Sequence, residues 1–63
     1  MITTEFFKTW AEAKSFQPKA VATEVFSLDL PKTIKKFREW QNDAIACGRH
    51  EAETARAVVV IYR

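Results

Sequence analysis

Glycine and proline are almost missing from this sequence, and that scarcity constrains the fold more than any other feature. Gly48 is the only glycine, and Pro18 and Pro31 are the only prolines, among 63 residues. Two-residue hairpin loops need Gly or Asn at positive φ, and the chain holds neither Asn-Gly nor Asp-Gly. Alanine, the best helix former, is frequent. The expectation is an all-α fold, a compact bundle of three to four short helices in a single small domain over residues 1–63. The alternative is an α+β fold with a terminal strand pair formed by residues 2–10 and 57–63.

The first helix is expected over Thr4–Phe16, capped by Thr3 or Thr4 with Glu5 in its first turn. Phe6, Trp10 and Ala13 recur at helical spacing there. Ile2, Thr4, Phe6, Lys8 and Trp10 also alternate as a strand does, so that reading stays open. Pro18 suits the first position of a second helix over Pro18–Phe26, with Val21, Ala22, Val25 and Phe26 inward. A third helix is expected from Leu30 to Cys47. Asp29 would cap it, and Pro31 sits in its first turn, where proline is tolerated. Its stripe is Leu30, Ile34, Phe37, Trp40, Ala44 and Cys47, and Gly48 stops it in the left-handed conformation. In the tail, Glu51 to Ala57 favour helix while Val58-Val59-Val60-Ile61-Tyr62 favour strand. A helix over His50–Tyr62 is preferred. A strand there would need a partner, either residues 2–10 or the same strand of a second chain.

So short a chain buries roughly 60% of its unfolded surface and is marginally stable by itself. Cys47 is the only cysteine, so no disulfide closes within the chain. A structural zinc site needs four Cys/His ligands, and Cys47 and His50 are the whole supply. Oligomerisation is the remaining device, and a homodimer is expected. The N-terminal MITTEFFKTW lacks the pattern of a signal peptide. No apolar stretch reaches the ~18 residues needed to cross a bilayer. With one unpaired cysteine, these features point to the cytoplasm. Catalysis is not expected. Cys47 and His50 lie three apart, but no orienting third group or oxyanion motif accompanies them, and no cofactor or metal motif occurs.

The formal net charge is only +2. Its distribution carries more information, because residues 31–38 hold four positive charges and no negative one. Lys32, Lys35, Lys36 and Arg38 are therefore candidate phosphate contacts, and Gln41 is a candidate for reading base edges. The run from Val21-Ala22 to Thr33-Ile34, followed by Phe37, resembles the helix-turn-helix of small regulators of phages and plasmids. In size and style the chain is also similar to small accessory proteins of temperate phages. That resemblance implies DNA binding, with Ala22 packing the first helix on the second and Thr33-Ile34 in the recognition helix. The second functional reading rests on the aromatic share, 13%. It gives a module that binds a host or partner protein through an aromatic face. The candidate interface residues are Phe7, Trp40, Val58, Val60 and Tyr62.

Overall fold

The computed structural model describes residues 1–18 and 20–63. In chain order the elements are strand β1 (Ile2–Phe7), helix α1 (Trp10–Phe16), strand β2 (Ala22–Ser27), helix α2 (Ile34–Ala46) and strand β3 (Ala57–Tyr62). A 3₁₀ turn, Pro31–Thr33, leads into α2, and a second, His50–Thr54, follows it. The sheet order is β1-β3-β2, and β3 is antiparallel to both neighbours. The first and second strands therefore run parallel to each other without touching.

This is an α+β fold, which overturns the all-α bundle and its description as a small helical domain. The terminal strands weighed as the alternative are present, with Ile2 opposite Tyr62 and Phe7 opposite Ala57. The second strand, over Ala22–Ser27, replaces the helix expected at Pro18–Phe26; Lys19, inside that span, lies outside the described residues. The tail is a 3₁₀ turn and a strand rather than a helix. Tertiary pairing overrides local preference in both places. Val58 to Ile61 are β-branched, and such side chains fit a pleated surface packed on both sides.

The central strand explains the rest. Every residue from Ala57 to Ile61 is buried, because β3 has a strand on each edge and a helix on each face. Such two-sided burial reads in sequence as a continuous apolar run rather than an alternation. Side chains of alternate residues leave opposite faces. Val58 and Val60 enter a core with Phe26, Phe37 and Ala55, lined by Phe6, Leu28, Trp40 and Tyr62. Ala57, Val59 and Ile61 enter a second core with Ala13, lined by Phe7, Val21 and Val25. The second helix covers the first of these cores and α1 the second, giving three layers.

Local chemistry fixes the helix ends. The first helix is capped by Thr9, whose backbone is extended and whose Oγ1 accepts the Glu12 N–H at 3.2 Å. The hydroxyl in turn donates to Glu12 Oε1 at 3.1 Å. Thr9-Trp10-Ala11-Glu12 thus has the spacing of a capping box. Pro18 ends it, since the residue before proline avoids the α region. The second helix has no side-chain cap. Instead Thr33 Oγ1 ties its start to the end of β2, accepting Ser27 N–H at 2.9 Å and sharing its proton between Ser27 O and Leu30 O at 3.0 Å. Gly48, at φ 86°, turns the chain out of α2 as the sequence predicts.

Candidate nucleic-acid interface on the second helix

The two cores decide which face of α2 is left for function. Phe37, Gln41 and Ala44 point inward, so the opposite side carries the polar residues. Lys32, Lys35, Lys36 and Arg38 are all exposed. They are confined to the 3₁₀ turn and the first two turns of the helix. No acidic residue occupies that first turn. Among the described residues the only intrachain ion pair in the group is Lys36–Glu39, at 3.5 Å and well solvated. Arg38 donates through Nη1 to Gln41 Oε1 at 2.8 Å and lies 5.8 Å from the Phe37 ring centroid.

This placement runs against the helix macrodipole. Unpaired N–H groups make a helix N-terminus electropositive, so cations there are unfavourable by roughly 0.3–1 kcal/mol each. Among the described residues only the solvated Lys36–Glu39 pair sets a carboxylate against these cations. A site that breaks a local stability rule is a candidate for function.

Gln41 belongs to the interior. It is 6% exposed, and its Nε2 donates to the Ala52 carbonyl at 2.8 Å. It therefore fastens α2 to the following 3₁₀ turn and has no free edge for a base. Among the candidate interface residues, Val58 and Val60 are fully buried in β3 and have no surface with which to meet a partner. Phe7 packs beside Phe16, ring centroids 5.1 Å apart, and is half-buried on the α1 side. Trp40 and Tyr62 are half-buried on the α2 side. Burial and a hydrogen bond to the Glu24 carboxylate raise the Tyr62 phenol above its usual range.

The residues of the helix-turn-helix resemblance fall on different elements. Ala22 opens β2, where the resemblance implies a helix, while Thr33 and Ile34 stand at the junction of the 3₁₀ turn and α2. Cys47 is exposed at the C-terminal end of α2. His50 faces Glu53, Nδ1 to Oε1 3.4 Å. No cluster of three or more His, Cys, Asp or Glu suited to a metal ion occurs among the described residues. None of their helices is long and apolar enough to cross a membrane.

Sequence patterns do not announce Arg49, which organises the other end of the same face. Its Nη1 and Nη2 donate to Thr4 Oγ1 at 2.7 Å and Thr4 O at 3.0 Å, and its Nε meets Glu51 at 2.9 Å. Its guanidinium lies 5.4 Å from the Phe6 ring centroid. The Thr4 carbonyl belongs to the outer edge of β1, so Arg49 occupies an edge acceptor that another strand would need. The Glu51 carboxyl is held below its usual range, first by a backbone N–H and then by Arg49.

Comparison with protein-family models, with curated proteins and with solved structures gives no match.

Proposed function

We propose that this protein is a non-enzymatic accessory protein that contacts nucleic acid, gripping phosphates with Lys32, Lys35, Lys36 and Arg38. The observation that carries this reading is the exposed cation cluster at the start of α2, kept where the helix's own dipole opposes it. Phosphates would neutralise the cations and release condensed counterions, which supplies sequence-independent affinity. The contact needs no pocket and no second recognition helix. The aromatic residues favour this reading over an aromatic docking face, because most are absorbed into the two cores.

Fluorescence anisotropy with a labelled random duplex tests the reading. Four phosphate contacts on B-DNA give a slope of log K against log salt of about −3 to −4. Changing Lys35 and Lys36 to Gln should make that slope shallower by about 2. An absence of binding at tens of micromolar protein in low salt would overturn the reading. So would binding that ignores both salt and the lysines.

A further inference from the structure

The exposed side of α2 carries a second pattern, which shares Lys32 and Lys36 with the phosphate reading and adds two carboxylates. Lys32, Lys36, Glu39 and Asp43 are spaced four, three and four residues apart. That spacing places them along one stripe of the helix and its leading turn. All four are exposed. The order of charge along the stripe is plus, plus, minus, minus. Reversed in direction, the stripe presents the opposite charge at each level.

We propose that this stripe is a self-association surface, on which a second copy of the chain docks with its α2 antiparallel. A two-fold axis level with Phe37 and Arg38 sets Lys32 against Asp43 of the second copy and Lys36 against Glu39 of the second copy. Symmetry repeats both pairs, so four interchain ion pairs form and no like charges meet. Such a contact is isologous and closes as a dimer. Antiparallel helices also oppose their dipoles, so the cation-bearing N-terminal end of each lies beside the electronegative C-terminal end of the other.

Three further features favour a second copy as the occupant. Among the described residues none of Asp43, Glu5 and Lys32 has an intrachain ion pair. The Lys36–Glu39 pair is solvated, and exposed pairs of this kind exchange at little cost. Beside the stripe, Trp40, Asp43, Ala44 and Cys47 face Ile2 to Glu5 across an open wedge. Ile2 in that wedge is 53% exposed. The turn carrying Lys32 of the second copy would arrive beside Asp43, where its aliphatic stem can cover Ile2 and Trp40.

The inference stands without nucleic-acid contact, and its test contains none. Charge reversal decides it by sedimentation equilibrium at about 0.5 mM protein in low salt, a concentration suited to a contact made mostly of exposed ion pairs. The wild-type chain should dimerise, and its dissociation constant should rise at least about tenfold in high salt. One variant carries Lys32→Glu and Lys36→Glu; the other carries Glu39→Lys and Asp43→Lys. Each alone should be monomeric, and the equimolar mixture should form a heterodimer at least as tight as the wild type. Circular dichroism checks folding. If either double variant unfolds, Lys32→Glu and Asp43→Lys as single variants make the same comparison. A monomeric wild type, a mixture that stays monomeric, or a variant that dimerises alone as the wild type does would overturn the proposal.

Discussion

Lys35 lies in the first turn of α2, exposed and facing a positive dipole end. Lys35→Gln should therefore stabilise the fold by a few tenths to about 1 kcal/mol, read as a higher urea midpoint, while weakening duplex binding. A gain in both, or a loss of stability, would contradict the placement described here. Gln41 predicts the reverse pattern. Gln41→Ala removes the Nε2 donor from the Ala52 carbonyl, which keeps only the longer bond from the Ala55 N–H at 3.3 Å, a cost of about 0.5–1.5 kcal/mol measurable by urea denaturation, with duplex affinity nearly unchanged. Tyr62 gives a pH dependence. Its folded pKa lies above the ordinary value of 10.0, so its contribution is present below about pH 10 and fades as pH rises through the folded value. Between pH 9 and 11 the wild-type melting temperature should fall more steeply than that of Tyr62→Phe. At this scale the sequence reveals the exposed lysines, since a charge run beside an apolar stripe turns to solvent. It conceals Gln41, because its partner is a backbone carbonyl in a 3₁₀ turn that no periodicity marks.

The scarcity of glycine is a sound guide to turns and a poor one to strands. Among the described residues no two strands are joined by a two-residue turn, in keeping with the missing Asn-Gly and Asp-Gly pairs. Strands are nevertheless present, because each successive pair is joined through a helix. β1 reaches β2 through α1, and β2 reaches β3 through α2. Long connections need no two-residue turn of the Asn-Gly kind, so composition is silent about them. The Val58–Tyr62 run and the Ile2–Trp10 alternation were legible as strands, and each became decisive only with a partner. The Thr9–Glu12 capping box was the readable sign that helix begins after residue 9. Thr9→Ala should cost about 0.5–2 kcal/mol, seen as a lower thermal midpoint with the sheet retained. Phe37 is the element-scale counterpart on the other face. It is fully buried where α2 crosses the sheet, so Phe37→Ala should cost about 3–5 kcal/mol. For a 63-residue domain of marginal stability, that change should abolish cooperative unfolding.

The whole molecule exposes 4269 Å², close to the roughly 4,200 Å² expected of a folded monomer of this mass. The chain closes its own core, and two cores instead of one take up most of its aromatic residues, with Phe16 left exposed. The exposed surface carries charges beside Met1, Ile2, Phe16 and Ile34, and Lys32 and Lys36 serve both the proposed phosphate contact and the proposed dimer stripe. A duplex should therefore dissociate the dimer, and sedimentation with increasing unlabelled duplex should show the dimer boundary giving way to protein–duplex species. An unchanged dimer carried intact onto DNA would show that the two contacts use different residues. The position of β3 has a further consequence, for synthesis. The strand that holds the sheet together is translated after the other two, which share no ladder without it. A ribosome-bound chain ending at Arg56 should thus show no protected sheet amides and remain fully sensitive to protease. Folding of the sheet becomes a single late event that waits for residues 57–62 to clear the exit tunnel.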